Sequence, residues 1–300
     1  MDWEQLWKRY SSARRLAPAS MVSYRAALER FRQHWPELTE PSQVQEHHLL
    51  EWRLHEVQKG LAEATTTGFL RSVISVLRWA HRQDLLLLDP ASDLQIRKPT
   101  NKIPRILTQD EILRLLDAPL RTKRRFIAGR DRAILELLYG SGMRGGELVA
   151  LDLRDLDVAD CSVLVRGGKG RPRKVCFAPS VAVILERYLK DYRPARAQSG
   201  ESALFVNLRG TRLSRNMLGH QLALYGRKLG IPDISPHALR RAFATHLLEN
   251  GANIVEIKNL LGHVDIDSTL VYARLFPVEL IRAHRKSHPR ARRKEQPNDH

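Results

Sequence analysis

Apolar positions recur at spacings of three and four along most of the chain, which predicts a mainly helical protein. Over 3–94 the pattern is helical throughout, carried by Val22, Tyr24, Leu28 and Phe31 and again by Phe69, Val73, Val76, Leu77 and Ala80. Asp89-Pro90 closes that stretch. Arg97, Lys98, Pro99, Asn101, Lys102 and Pro104 then follow in quick succession, so 95–104 reads as a basic linker. Thr108 with Glu111 three residues on is a capping box, and it opens a second domain near Arg105. The expected organisation is a helical domain over 1–94, a linker over 95–104 and a second domain over 105–280. A tail over 281–300 follows, with seven Lys or Arg against two acidic residues.

Within the second domain, 131–139 reads as a Leu-rich helix, 140–142 as a tight break and 144–151 as another helix. Ser162-Val163-Leu164-Val165 and Lys174-Val175-Cys176-Phe177 read as strands flanking the glycine-rich turn 167–172, and Leu204-Phe205-Val206 as a third. The fold class is therefore mainly α with a small antiparallel β-sheet. Towards the end, Ser235 can cap a helix with Pro236 at its first position, and Asn250-Gly251 stops it. His237 and Arg240 then share one face, near the positive N-terminus. Asn253 and Glu256 open a second short helix that Gly262 ends, leaving His263 just beyond, and Asp267 or Ser268 can cap a third that carries Tyr272. Two histidines, an arginine and a tyrosine on short helices suit chemistry on a phosphodiester.

Charge narrows the partner. Fifty Lys and Arg against 33 Asp and Glu give a formal +17, an excess that points to a polyanion, nucleic acid first. A membrane surface is the rival, but the longest aliphatic run, Leu85-Leu86-Leu87-Leu88, is far too short to span a bilayer. The N-terminus does not read as a signal peptide, and Cys161 and Cys176 have neither a disulfide framework nor a metal-binding spacing. A cytoplasmic protein is expected, with both cysteines as half-buried strand residues.

Familiar cofactor motifs do not fit. Gly140-Ser141-Gly142-Met143-Arg144-Gly145 matches a dinucleotide fingerprint, but it follows a helix where a strand is needed. Gly168-Lys169 lacks the Ser or Thr and the upstream glycine of a phosphate loop, and no His-Glu-x-x-His or paired carboxylates suggest a metal. No cofactor is expected. His47-His48 read as surface residues. Arg144 with Glu147 one turn on reads either as an exposed helical ion pair or as a locked guanidinium, which is a phosphate fork.

Taken together, the residues resemble the tyrosine recombinase family, the lambda-integrase and Xer-type integrases. The resemblance covers nearly the whole chain. It rests on five motifs in the family's order: Gly142-Met143-Arg144-Gly145-Gly146-Glu147-Leu148; Gly168-Lys169-Gly170; His237-Ala238-Leu239-Arg240-Arg241-Ala242-Phe243-Ala244-Thr245-His246-Leu247; Leu260-Leu261-Gly262-His263; and Ser268-Thr269-Leu270-Val271-Tyr272. It implies a two-domain C-shaped clamp on double-stranded DNA, with a helical core-binding domain of SAM-like type and a catalytic domain. It also implies a core site built as an inverted repeat and a homo-tetramer or a hetero-tetramer with a related recombinase. Tyr272 becomes the nucleophile, Arg144 and Arg240 the phosphate clamps, Lys169 the hairpin lysine that protonates the leaving oxygen, and His237 and His263 the remaining pair, either of which can assist the tyrosine. The product resembles a 3′-phosphotyrosyl enzyme.

Some positions depart from the family pattern. Arg241 stands where many members have a histidine, and Gly145-Gly146 replace larger side chains, which predicts a softer Arg144 helix. His246 reads as a packing residue. The segment 273–284 is expected to dock on a neighbouring protomer, and the tail from Arg282 to seek phosphates. Two other readings stand beside this one. The first is a non-catalytic regulator in which 253–274 forms a helix-turn-helix, and the second a type IB topoisomerase that nicks and reseals without exchanging strands.

Overall fold

The computed structural model describes residues 1–262 apart from 15, 17, 95, 97–104 and 167–171. The chain divides into two compact units, Met1–Lys102 and Ile103–His300. The turn bearing Lys169, most of the expected linker, His263, Tyr272, the segment 273–284 and the basic tail lie outside the described residues.

The first unit is helical: α1 (Trp3–Ala13), α2 (Pro18–His34), α3 (Glu46–Gln58) and α4 (Glu63–Arg82), with a 3₁₀ turn at Pro41–Gln43. Asp2 starts α1, its Oδ1 accepting from the Gln5 amide at 2.7 Å. The α4 row Val73, Val76, Leu77 and Ala80 is buried as its spacing predicts. Aromatic residues fill the rest of the core, with Phe31 meeting Trp52 edge to face at 5.1 Å. On α2 the inward row is Ala27, Leu28 and Phe31, whereas Val22 is 71% exposed. Residues 83–94 form turns, so the helical pattern ends with α4 and does not run on to 94.

In the second unit come α5 (Gln109–Asp117), α6 (Arg125–Ser141), α7 (Gly145–Ala150) and then the sheet strands β1 (Leu156–Asp157), β2 (Ser162–Val165) and β3 (Arg173–Cys176). After the sheet the chain continues through α8 (Pro179–Arg187), a π-helical turn at Tyr188–Tyr192, α9 (Arg215–Leu229), α10 (Pro236–Glu249) and α11 (Ile254–Leu261). The Thr108 box is formed: its hydroxyl accepts from the Glu111 amide at 3.2 Å and Glu111 accepts from the Thr108 amide at 3.0 Å. Ala133, Ile134, Leu135, Leu137 and Leu138 make α6 the centre of the core, with α5, α8 and α10 packed on it. That helix runs through Gly140 and Ser141, and only Gly142 turns the chain, at φ +62°.

The sheet is antiparallel in the order β1-β2-β3, with Val163 opposite Val175. Its third strand is β1, not Leu204-Phe205-Val206. Those three residues are buried but make no sheet pairing: the Leu204 amide bonds to Leu151, and Val206 forms an isolated bridge with Arg212. Each cysteine meets half of the expectation, since Cys176 lies in β3 and Cys161 is half-buried, but neither is a half-buried strand residue. Cys161 is half-buried in the turn before β2 at φ +48°, and Cys176 is exposed. Among the described residues no helix is long and apolar enough to cross a membrane.

Candidate active site

Three of the six expected site residues are described, and their elements converge. The N-cap of α7 is Arg144, His237 lies in the first turn of α10, and Arg240 follows one turn later. Ser235 caps α10, its hydroxyl accepting from the Ala238 amide at 3.1 Å. Arg144, Gly145, Gly146, Glu147, Arg166, Arg215 and His237 line one cleft of about 700 Å³.

Arg144 is locked. Its amide donates to Glu147 Oε2 at 2.8 Å and its Nη1 to Glu147 Oε1 at 3.0 Å. The Glu147 side chain is 7% exposed, while that of Arg144 is 40% exposed and able to meet a ligand. Arg173, from β3, holds both oxygens of the same carboxylate, with Nη1 to Oε1 at 3.0 Å and Nη2 to Oε2 at 2.9 Å. Burial pushes the Glu147 pKa up, but the bonds from Arg173 and from the Arg144 amide outweigh it, and the carboxyl stays below its ordinary value. Of the two readings open for Arg144 and Glu147, the geometry matches the locked guanidinium.

Arg240 is buried. Its Nη1 donates to the Gly142 carbonyl and its Nη2 to the Leu261 carbonyl, each at 2.7 Å. Gly142 is required twice over: its φ is +62°, and a Cβ there would come within 2.3 Å of the Phe243 ring. His237 is exposed, yet its pKa is lowered from the ordinary 6.5, first by loss of solvation and then by the charges of Arg240, Arg241, Arg215 and Arg144. The ring is thus held neutral at pH 7, able to accept a proton or donate a hydrogen bond.

Gly145 and Gly146 occupy the first turn of α7, where the backbone amides lack intrahelical partners in any case. The softening expected of glycines inside a helix therefore does not apply in full. A Cβ on Gly145 would lie 2.8 Å from Pro236, so the glycine is what lets α7 and α10 approach. His246 is buried, its Nδ1 2.9 Å from the Tyr139 hydroxyl. Arg173 and Arg215 were missed by sequence reasoning, since neither belongs to a periodic face or a local motif. The ring at His237 feels the charge of Arg215, which also lines the cleft beside Gly146. Among the described residues no group of His, Cys, Asp and Glu could hold a metal ion.

Residues 105–278 match the Phage integrase family, and 3–84 match the Phage integrase, N-terminal SAM-like domain. The tyrosine recombinase XerC of Pelotomaculum thermopropionicum is 36% identical, over 84% of this chain and 84% of that protein. The tyrosine recombinase XerD of Mycobacterium tuberculosis is also 36% identical, over 93% of this chain and 94% of its own length. Among solved structures, the Tn1549 transposon integrase in complex with transposon right end DNA superposes with a TM-score of 0.77 at 22% identity, covering 96% of this chain and 99% of that one. XerH site-specific recombinase bound to a palindromic difH substrate gives 0.73 at 19% identity, over 94% and 84%.

Proposed function

We infer, from the fact that this chain belongs to the phage integrase family of tyrosine recombinases, that it is a site-specific recombinase that cuts and rejoins duplex DNA. The observation that carries the reading is the cleft itself. One guanidinium locked by a buried carboxylate and a neutral imidazole share it, and a second guanidinium is fixed in the same helix as that imidazole.

On this reading the Tyr272 phenol attacks the scissile phosphodiester and forms a 3′-phosphotyrosyl bond as the 5′-oxygen leaves. Negative charge grows on the non-bridging oxygens during attack. Arg144 and Arg240 stabilise that charge more in the transition state than in the ground state. Tyrosine has an unperturbed pKa of about 10, so its proton must be lost during attack, and His237 or His263 takes it. Lys169 supplies a proton to the departing oxygen. The ester's bond energy is kept in the phosphotyrosine, and the hydroxyl of a second strand reseals it. The partner is duplex DNA carrying an inverted-repeat core site, held by a tetramer of this chain alone or with a related recombinase. Coupling between protomers falls to 273–284, and the basic tail adds phosphate contacts.

Covalent trapping tests the reading. Cells expressing wild-type or Tyr272→Phe protein are lysed in denaturant, and DNA that stays attached is sequenced at its ends. Adducts from wild type alone, gathered at a shared inverted repeat, are expected. Tight DNA binding without adducts, on nicked substrates as well, would instead support a regulator that binds without cutting.

A further inference from the structure

The Glu147 carboxylate accepts four hydrogen bonds, two from Arg144 and two from Arg173. We propose that Arg173 is a positioning residue of this active site: by clamping Glu147 it fixes the carboxylate that holds the Arg144 guanidinium towards the scissile phosphate. The proposal rests on the recombinase reading of the cleft.

The two arginines differ in what they can do. Arg173 has a side chain only 17% exposed, and both of its terminal nitrogens are engaged by Glu147. Arg144 uses one terminal nitrogen on Glu147 and is 40% exposed. One guanidinium is thus spent on holding the carboxylate, and the other keeps a face for an anion. Arg144 gives each carboxylate oxygen one hydrogen bond, which is half of the hold on Glu147. Bidentate pairing from Arg173 adds a second bond to each oxygen and stiffens the carboxylate further. Lysine would keep the charge but lose the fork.

The Arg173 side chain also lies close against Gly262. Its Nε is buried with no hydrogen-bond partner among the described residues. A Cβ on Gly262 would lie 2.6 Å from that nitrogen, and Gly262 stands at φ +62° as the cap of α11. The guanidinium therefore runs between α7 and the end of α11, rooted at the first residue of β3. In sequence, β3 follows the turn carrying Lys169, and Gly262 precedes His263. A displacement of Arg173 would disturb the supports of Arg144 first.

The test measures single-turnover adduct formation by the full-length protein on a nicked duplex carrying the site mapped by trapping, together with DNA affinity and melting temperature. Arg173→Gln and Arg173→Lys should each slow the step about 10²-fold, the order of loss that misplacing a catalytic group by about 1 Å causes. DNA affinity should hold, because the loss falls in the transition state. With Glu147→Gln already present, Arg173→Gln should add no further loss, because both act through one carboxylate. Additive losses, or a wild-type rate in Arg173→Lys, would overturn the proposal. Should Arg173→Gln fail to fold, Arg173→Lys, alone and in the Glu147→Gln background, still decides it. Failure of the wild-type protein to form any adduct would overturn the recombinase reading instead.

Discussion

Arg240 reaches across 98 positions to the backbone of Gly142, its Nη1 2.7 Å from that carbonyl oxygen, while its other terminal nitrogen holds Leu261 at the end of α11. One buried side chain thereby ties the cap of α6, the body of α10 and the end of α11. A single planar fork registers these three helices against one another, which gives the residue a structural role beside the one proposed for it. Arg240→Lys cannot span both carbonyls with the same geometry. The variant should lose about 1–3 kcal/mol of stability from the carbonyl left unpaired, read by denaturant unfolding. Adduct formation should fall by more than that loss of folded protein explains. An unfolding midpoint equal to wild type would show that the two carbonyls do not depend on the fork.

Glu147 gives the second prediction. Its folded carboxyl sits below the ordinary 4.5, so the folded chain binds that proton less readily than the unfolded chain does. The stability it contributes is complete above 4.5 and is lost as pH falls through the folded value. Glu147→Gln should therefore cost about 3 kcal/mol at pH 7, since it strips a buried pair of its charge. The gap between mutant and wild type should narrow as pH drops below the ordinary carboxyl value. A gap constant from pH 7 to pH 3 would refute this account.

His237 should titrate below the ordinary 6.5, first because it loses solvation and then because nearby guanidiniums oppose its protonation. Replacing Arg215 by alanine removes one of those charges, so the pKa must rise towards 6.5. NMR titration of the imidazole reads this directly. The acid limb of the adduct-forming rate should move to higher pH by the same interval. No movement in either would mean that Arg215 lies outside the field felt by the ring.

Tyr139→Phe tests the opposite kind of residue. It leaves the buried Nδ1 of His246 without the hydroxyl now 2.9 Å away, at a cost of about 1–3 kcal/mol. Adduct formation per folded molecule should stay as in wild type. A large loss of rate without loss of stability would place His246 in the chemistry.

What could be read from the chain beforehand depended on range. Caps are short-range signals, so Thr108 with Glu111 and Ser235 with Pro236 mark helix starts that are found where their spacing puts them. The pairing of Ser162-Val163-Leu164-Val165 with the strand beyond the glycine-rich turn is also local, and it is found. Leu204-Phe205-Val206 misled, because three buried apolar residues satisfy strand preference even where the backbone bonds outside any ladder. Conversely, Leu156 and Asp157 form a strand too short to show alternation. Arg144 and Glu147 were legible because they lie one turn apart, but Arg173 joins them from 26 positions away, and nothing local announces that bond. Arg215 is a helix-start arginine like any other until the fold turns it to the cleft.

The two glycines at the head of α7 also bear on how the protein can be re-engineered. Gly145 has no room, since an added methyl would meet Pro236 at 2.8 Å, but Gly146 has ordinary space, with Arg215 3.6 Å away. Libraries that reshape the cleft can thus diversify position 146 together with 215. Position 145 acts as a spacer gauge between the two helices that bear Arg144 and His237, and it should tolerate no side chain where its neighbour does.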